Sequence, residues 1–524
     1  MKWKKDYDTA VASSDGEETV ESDLSDCVEI WVVVICLALP DAIKCTWHFV
    51  IIIITATRDK SFSLPPGTLG YPFIGETLEF LRKGSNFYKL RQEKYGNIFK
   101  THIFGCPTIR VIGAENVRKI LHGENSIVMQ SWPKSTKLLL GSGAMTQTSG
   151  EIHRSQRKQV LHAFSMHALA EYVPIIQSDI RKQIETWLEK GTFLGYNECR
   201  EMTMSISSKV LLGFDFDVEE KQRYNKMFLD FTAALMTIPI NVPGFGFHKG
   251  MKAREGLLAG IKGQLKKLSS KEGQKSFKTA FEYYLDALDE EEITMDTLDT
   301  IAEGALDLIA NGFSTTSSAL TNLIMILGKH ENVLQNVREE LYTHGLLDPK
   351  NVDLTLNSLK DLPYSSKVLK ELLRLYPPAG ASFRKCLQTF ELEGYTIPAG
   401  WTVMYSIRET HRNPNVYDDA EEFRPDRWDD SSFHPGTLTS ESPTDKFNFI
   451  PFGGGCRSCV GSEFAKLSLR IFLLELARSC DWTLLNKDAE MRFIPVPHAV
   501  DSLPVQIRRW DHCSLFSRAP IYGF

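Results

Sequence analysis

The 524-residue chain lacks an excess of basic residues. Its formal net charge is −6, and residues 1–29 account for all of it, because nine acidic residues stand there against three lysines. The rest of the chain is formally neutral, which argues against a dedicated nucleic-acid-binding protein, a class that needs a basic surface. The polar composition of residues 1–29 predicts an acidic disordered tail.

Regularly spaced cysteines and long apolar runs are also missing. The ten cysteines are scattered irregularly, which argues against a secreted disulfide framework and indicates reduced thiols in a cytosol-like compartment. Residues 30–60 hold two apolar runs, 30–39 and 45–57, neither of which reaches the roughly 20 residues that cross a bilayer. Together they predict one N-terminal membrane anchor, with Arg58 and Lys60 directing the following body to the cytosol. The alternative is a cleaved N-terminal segment.

Residues 61–72, which include "SLPPGTLGYP", are predicted to form a Pro/Gly-rich hinge. No second low-complexity linker and no internal repeat follows. Helical periodicity fills most of the remaining chain, with short β-like runs at intervals. We therefore predict one mainly α-helical body with small β-sheets (α+β) over residues 73–510, and a C-terminal tail at 511–524. The clearest helical stretches are 151–190, 296–329 and 462–480.

The stretch "FGGGCRSCVG" places two cysteines three residues apart in a glycine-rich loop. Such a pair is half of a zinc site, a redox pair, or a thiolate ligand beside an unrelated cysteine. Further zinc ligands at short spacing are absent, and so is a thioredoxin-like context. The third interpretation fits better, because Cys459 precedes a helix predicted to start at Ser462, and a helix N-terminus stabilises a thiolate. Arg457 offers a charge-assisted hydrogen bond to a carboxylate.

This loop resembles the haem-binding loop of the cytochrome P450 superfamily at every fixed position, among them Phe452, Arg457 and Cys459. The resemblance implies a cytochrome P450 fold that binds haem b. It makes the Cys459 sulfur the axial ligand of the haem iron and leaves Cys456 at a variable position. It also implies a monomer in the endoplasmic reticulum membrane, with its catalytic domain facing the cytosol and NADPH-cytochrome P450 reductase as partner.

Other motifs of the family occur in the expected order. Glu371 and Arg374 in "ELLR" are three residues apart and therefore neighbours on one helix face. By resemblance they form a buried structural network with Arg427 in "FRPDR". A lone pair at this spacing is more often a solvated surface ion pair, but the order of motifs favours the buried network.

Three residues match family positions near the haem propionates. His153 and Arg157 stand four apart in "HRSQR", and Arg384 follows in "SFRK". The family has tryptophan where this chain has His153. A histidine ring can also donate a hydrogen bond to a carboxylate.

One motif departs from the family pattern, in the helix predicted for residues 297–329. Aligning "GFSTT" on its threonine pair makes Thr315 the alcohol that helps to deliver protons during oxygen activation. Ser314 stands where the family has an acid. Serine can relay a proton through water but supplies no ionisable carboxylate. Glu303 and Asp307 lie two or more turns back and are not equivalents of that acid.

From about residue 64 to 505 the chain is similar to the animal retinoic acid hydroxylases, microsomal enzymes that oxidise the ring of all-trans retinoic acid. The likeness implies that Trp132 and Phe383 line an apolar pocket over the haem, although each could be an ordinary core aromatic. Arg110 matches a retained arginine that could hold the substrate carboxylate. Ala310 replaces a phenylalanine in the pocket roof.

A second substitution weakens this substrate assignment, because Cys106 stands where many members have another arginine. The main prediction is a haem-thiolate monooxygenase that hydroxylates a small lipophilic substrate, all-trans retinoic acid. One alternative keeps the chemistry and changes the substrate to a sterol or other terpenoid. Another is a haem protein that isomerises, dehydrates or sequesters its ligand without activating dioxygen. The absent acid at position 314 motivates it, and the retained Thr315 argues against it.

Overall fold

The computed structural model describes residues 63–71, 74–214, 216–269, 277–286, 295–349, 352–429 and 444–511. The described residues of 64–70 and 74–511 form one compact unit, and a separate unit of 1–63 and 71–73 contributes only Ser63 and Tyr71. The predicted acidic tail, the predicted anchor and all but the first residue of the C-terminal tail lie outside the described residues. No helix within the described ranges is long and apolar enough to cross a membrane.

Helices dominate the fold, as the sequence periodicity predicts. The described residues include fourteen α-helices: α1 (Thr77–Lys83), α2 (Ser85–Tyr95), α3 (Ala114–His122), α4 (Lys134–Leu140), α5 (Gly150–His162), α6 (Met166–Lys190), α7 (Gly195–Leu212), α8 (Val218–Ala234), α9 (Gly246–Ser269), α10 (Ala280–Leu285), α11 (Met295–Lys329), α12 (Glu331–Thr343), α13 (Pro363–Leu375) and α14 (Ser462–Ser479). The predicted helical stretch 151–190 is two helices. The break comes at Ser165, whose hydroxyl accepts a hydrogen bond from the Ala168 N–H at 3.3 Å and so caps α6.

The strands in the described residues form four small sheets. They are β1 (Ile98–Ile103), β2 (Cys106–Val111), β3 (Val128–Gln130), β4 (Thr192–Leu194), β5 (Ala381–Cys386), β6 (Phe390–Leu392), β7 (Tyr395–Ile397), β8 (Thr402–Ser406), β9 (Cys480–Leu484), β10 (Met491–Arg492), β11 (His498–Ala499) and β12 (Pro504–Arg509). The main sheet has the order β1-β2-β8-β5-β3, in which only the β2–β8 pair is parallel. The others are β4-β12-β9, β6-β7 and β10-β11. The predicted α+β class is confirmed.

Helix α11 organises the core, because two hydrophobic clusters meet along its length. Its first part, Ile301–Phe313, packs with residues of α8 and α9, and its later part, Ala319–Leu327, packs with residues of α6, α13 and α14. The polar residues 314–318 lie between the two clusters. A helix that is apolar on most sides is stable only when buried in this way.

The centre of the predicted hinge is held against the main sheet. The Lys100 N–H of β1 donates to the Pro66 carbonyl at 2.8 Å, and Gly67 pairs with Lys100 in an isolated bridge. Gly67 has a φ of +130°, and a Cβ there would lie 2.2 Å from the Lys100 carbonyl oxygen. Only glycine fits this close approach of two backbones.

Glu371, Arg374 and Arg427 meet in a buried network. The Glu371 carboxylate accepts from Arg374 Nη2 at 2.8 Å and Nε at 2.9 Å, and from Arg427 Nε at 2.8 Å. Both Glu371 and Arg374 are fully buried, and Arg427 is 8 % exposed. The remaining arginine donors bond to backbone carbonyls, among them those of Ala420 and Asp418. Every charge in the network therefore has a partner, which a buried ion pair requires.

Replacing Glu371 with glutamine should lower the free energy of unfolding by about 3–5 kcal/mol, because it leaves two buried guanidinium groups without a counter-charge. Urea denaturation and the haem content of the purified protein measure the effect. Glu185→Gln is the matched control, since Glu185 also holds an arginine, Arg509, through two contacts of 3.2 and 2.6 Å, but at the exposed surface. Its loss should be about 0–1 kcal/mol. Equal losses from the two variants would contradict a buried structural role.

Candidate active site

A cavity of about 310 Å³ lies between α11, α14, the main sheet and the loop 451–461. Its size falls within the range of roughly 300–1,000 Å³ that is usual for small-molecule sites. Many of the site residues predicted from sequence line it: Cys459, Phe452, Arg457, Arg384, Arg157, His153, Trp132 and Thr315. Four others are not among its lining residues: Ser314, Phe383, Arg110 and Ala310.

The loop that carries Cys459 is folded tightly. The Cys459 N–H donates to the Phe452 carbonyl at 2.8 Å, and the Ser458 N–H donates to the Gly455 carbonyl at 3.1 Å. Gly455 has a φ of +67°, and a Cβ there would lie 2.9 Å from the Leu121 carbonyl oxygen at the end of α3. The glycines therefore allow the loop to approach α3 closely.

The two cysteines of the loop lie in different environments. Cys459 lines the cavity, whereas Cys456 is exposed and is not a lining residue. The Cys459 sulfur is accessible through the cavity, yet protein atoms surround it closely enough that burial raises the pKa of its thiol. The Gly461 N–H and the charge of Arg157 act in the opposite direction.

Two buried arginines lie at one edge of the cavity and share Glu124. Arg384 Nε approaches Glu124 Oε2 at 2.7 Å, and Arg457 Nε approaches Glu124 Oε1 at 3.3 Å. The first contact lacks hydrogen-bond geometry, so both of its atoms are buried without a hydrogen-bond partner. Two cations against one carboxylate leave a net positive charge, which suits a further anionic group.

Two residues of α5, Arg157 and His153, also line the cavity. Arg157 donates to the Ser458 carbonyl at 2.6 Å and to its hydroxyl at 2.9 Å, which holds α5 against the cysteine loop. His153 is buried, and burial together with the charges of Arg457 and Arg157 lowers its pKa to about 4. The ring is therefore neutral near pH 7 and can donate a hydrogen bond from one nitrogen.

These features fit a haem. A thiol lies at one end of the cavity, uncompensated cationic donors lie at its edge, and the remaining walls are mostly apolar. Asp307 is the only acidic residue among the described residues that line the cavity. A flat apolar group that carries two carboxylates and takes a sulfur ligand matches this distribution.

Across the cavity, α11 presents a line of polar groups. The Thr315 hydroxyl donates to the Asn311 carbonyl at 2.6 Å, and Asn311 Nδ2 donates to Asp307 Oδ1 at 2.7 Å. Asp307 also accepts from the Thr146 N–H at 3.1 Å and hydroxyl at 3.0 Å. The family motif predicts a site role for neither Asp307 nor Asn311. The spacing of four residues from Asp307 to Asn311, and of four more to Thr315, is the signal that places the three along one side of the helix.

The predicted pocket aromatics divide into two groups. Trp132 lines the cavity, and its Nε1 is buried without a hydrogen-bond partner. Phe383 lies behind it, with ring centroids 6.0 Å apart, and also contacts Phe104 at 6.4 Å. Ala310 is 3 % exposed and belongs to a hydrophobic cluster of the core. Phe383 therefore supports the cavity-lining Trp132 from behind, whereas Ala310 is part of the core.

Arg110 occupies a different part of the fold from the one expected for a substrate ligand. It is 1 % exposed, and its Nη2 donates to Glu409 at 2.7 Å and to Ser406 at 2.9 Å. Its guanidinium also lies 4.0 Å above the Tyr88 ring. The hypothesis that Arg110 holds the substrate carboxylate needs correction, because Glu409 already neutralises its charge outside the cavity.

The family model for cytochrome P450 matches residues 65–500. This chain belongs to the cytochrome P450 family. It is 42% identical to Cytochrome P450 26A1 of Gallus gallus over 86% of this chain and 91% of that protein, and 40% identical to Cytochrome P450 26B1 of Homo sapiens over 86% and 88%. A solved structure described as retinoic acid bound cyanobacterial CYP120A1 matches with a TM-score of 0.77 and 33% identity, over 86% of this chain and 100% of that one. The resemblance identified from the sequence is confirmed.

As a cytochrome P450, the protein is a monooxygenase with a haem cofactor, a redox partner and a lipophilic substrate. The residues that would hold the haem are the cavity-lining cysteine, arginines and histidine described above. Cys459 would supply the thiolate ligand, and Arg157, Arg384, Arg457 and His153 would hold the propionates.

Cys459→Ala should abolish the carbon monoxide absorption that is typical of a thiolate-ligated haem, because no other described lining residue is a cysteine. Cys456→Ala should leave it unchanged, since that sulfur lies outside the cavity. The difference spectrum of the reduced protein with and without carbon monoxide measures both. Loss of the signal in Cys456→Ala alone would show that the register of the loop is wrong.

Proposed function

We propose that this cytochrome P450 hydroxylates all-trans retinoic acid and so contributes to retinoid breakdown. The substrate assignment rests on the likeness to a structure solved with retinoic acid bound. This chain is 33% identical to that protein over the full length of the solved chain. The two named relatives at about 40% identity support the same assignment, since the sequence resembles the animal retinoic acid hydroxylases.

The chain's own residues position the reaction. When bound, the haem supplies oxygen activation, which a thiolate ligand favours. The Cys459 loop fixes the sulfur through its backbone hydrogen bond to Phe452. Arg384 and Arg457 would neutralise the propionates, which would otherwise be costly to bury. Thr315 presents its hydroxyl to the cavity from α11.

The walls of the cavity suit a long apolar substrate. Leu308 and Ala319 of α11, together with Ile407 after β8, line it along with Trp132. Burying a polyene against such groups is favourable by about 25 cal/mol for each Å² removed from water. We propose that Trp132 contacts the substrate directly, with Phe383 supporting its ring from behind.

We also infer that the enzyme is a monomer in the endoplasmic reticulum membrane, anchored by residues 30–60, with the catalytic domain in the cytosol and NADPH-cytochrome P450 reductase as electron donor. The apolar runs followed by Arg58 and Lys60 support the anchor. The exposed Arg154 and Lys158 of α5 support docking of an acidic partner.

Protease added to intact microsomes should digest the catalytic domain, because the positive charges after the anchor keep that domain on the cytosolic side. Immunoblotting against the C-terminal half measures the loss. Deletion of residues 1–60 should release a protein that still binds haem. Protection of the catalytic domain in sealed microsomes, or loss of haem on deletion, would contradict the proposed topology.

All-trans retinoic acid should shift the haem absorption at low concentration by displacing the water ligand, whereas a cholesterol-sized sterol should give little shift. The expected difference follows from the likeness to the retinoic acid complex. Titrating the purified enzyme with each compound measures it. A clear shift with a sterol or cyclic terpene, and none with any retinoid, would overturn the assignment of retinoic acid as the substrate. It would not affect the assignment of the haem chemistry. Binding without NADPH consumption would support a ligand sink.

Arg110→Ala should weaken retinoic acid and its alcohol, retinol, to the same extent. Glu409 already neutralises Arg110, so the variant disturbs the packing of β2 and β8 and removes no direct bond to the carboxylate. Spectral titration with both retinoids measures the effect. A much larger loss for the acid than for the alcohol would restore Arg110 as the carboxylate ligand.

A further inference from the structure

The cavity of this enzyme has an acid at an unexpected place. Ser314, where a carboxylate was expected, is not a lining residue. Asp307 is one, and its side chain is 1 % exposed. Burying a carboxyl group costs free energy unless it is fully bonded. Asp307 meets that requirement through three donors, the Thr146 N–H, the Thr146 hydroxyl and Asn311 Nδ2.

Asp307 is joined to Thr315 along the surface of α11. Asn311 lies between them, four residues from each, and its side chain bonds to both the carboxylate and the carbonyl of Asp307 at 2.7 and 2.8 Å. Its own carbonyl accepts the Thr315 hydroxyl at 2.6 Å. At roughly 1.5 Å of rise per residue, Asp307 and Thr315 are about 12 Å apart along the helix axis. All three residues line the cavity.

We propose that Asp307 is the proton-holding group of this active site and acts through Asn311 and cavity water toward Thr315, in place of the acid that position 314 lacks. Asp307 is thus a positioning residue, because it acts through other groups and does not touch the reacting atoms. The proposal rests on the monooxygenase activity and is independent of which lipid is the substrate.

In the proposed transfer, each proton that leaves one group is taken up by the next. The Asp307 carboxyl O–H gives its proton to a cavity water, and that water passes one of its own protons to the next water toward Thr315. The carboxylate that remains is stabilised by the donors from Thr146 and Asn311, and a proton from solvent restores the acid. The redox partner supplies the electrons for dioxygen reduction, in which one oxygen atom enters the substrate and the other leaves as water.

The surroundings of Asp307 suit this role. Burial raises its pKa to about 6, while the bonds from Thr146 and Asn311 oppose the shift. A proton donor works best when its pKa is close to the working pH. Glu303, one turn earlier, is paired with Arg254 of α9. The described residues that line the cavity also include Arg157, Arg384 and Arg457, and the pKa of His153 on α5 is lowered to about 4.

A purely structural role competes with this proposal, and the chain offers a matched control for it. Glu303 accepts from the Gly143 N–H at 2.8 Å, as Asp307 accepts from that of Thr146. Both carboxylates therefore hold the segment 143–146 against α11, but Glu303 is not among the cavity-lining residues. If Asp307 only holds this segment, Glu303→Gln and Asp307→Asn should behave alike.

The first readout is independent of turnover. Infrared difference spectra of the resting holoenzyme should show a protonated carboxyl band that appears as the pH falls through about 6, the pKa of Asp307. The band should be missing in Asp307→Asn and present in Glu303→Gln. A band that titrates unchanged in Asp307→Asn would overturn the assignment of the proton to Asp307.

The second readout is the fraction of consumed NADPH that yields hydroxylated product. Asp307→Asn should lower this fraction by about tenfold or more, at the low end of what acid–base groups contribute, whereas Glu303→Gln should stay close to wild type. Adding Ser314→Glu to Asp307→Asn should restore most of the loss by placing an acid beside Thr315. Equal losses in Asp307→Asn and Glu303→Gln, or no recovery with the added acid, would show that Asp307 only holds the segment 143–146.

A further variant covers the case in which Asp307→Asn loads no haem. Asn311→Ala keeps both contacts between Asp307 and Thr146, and it keeps the backbone carbonyl that accepts the Thr315 hydroxyl. It removes only the side-chain bonds from Asn311 to Asp307, and with them the link between the carboxyl group and the next turn of the helix. Asn311→Ala should lower the fraction of consumed NADPH that yields hydroxylated product, as Asp307→Asn does. A wild-type fraction in this variant would overturn the proposal that Asp307 acts through Asn311. Any substrate that shifts the haem spectrum serves for these assays, so failure of retinoic acid to bind would bear on the substrate alone.

Discussion

A reactive sulfur must face a buried cavity and yet be held without movement, and the rest of the structure depends on this constraint. The Cys459 loop is fixed by its backbone bond to Phe452, by Arg157 of α5 and by the close approach of Gly455 to the end of α3. Each contact reaches a different part of the chain. Burial raises the pKa of the free thiol, so binding of a cation such as the haem iron is needed to favour the thiolate.

The surrounding architecture places the other groups relative to that sulfur. Helix α11 crosses the core where two hydrophobic clusters meet, and Thr315 and Thr316, which lie between the clusters, line the cavity. The Glu371 network joins α13 to the segment around residues 411–427, which leads toward the cysteine loop. The result is a cavity with few polar atoms, closed by elements that are far apart in sequence.

Short-range spacing predicted much of this site. Glu371 and Arg374 are neighbours because any helix brings residues three apart together, and the same reasoning placed His153 near Arg157. Long-range pairing could not be predicted in this way. The partner of Arg110 is Glu409, 299 residues away, and that of Asp307 is Thr146, 161 residues away. Nothing in the sequence around Arg110 shows that Glu409 neutralises its charge. Nothing in the sequence around Asp307 shows that this residue lines the cavity.

The central claim is that this chain activates dioxygen and transfers one of its atoms to a retinoid. Incubating the enzyme with all-trans retinoic acid, NADPH, a reductase and isotopically labelled dioxygen tests it most directly, with mass spectrometry of the products. We expect a hydroxylated retinoid that carries one labelled oxygen atom, formed only when NADPH is consumed. A product without the label, or one formed in the absence of NADPH, would contradict it.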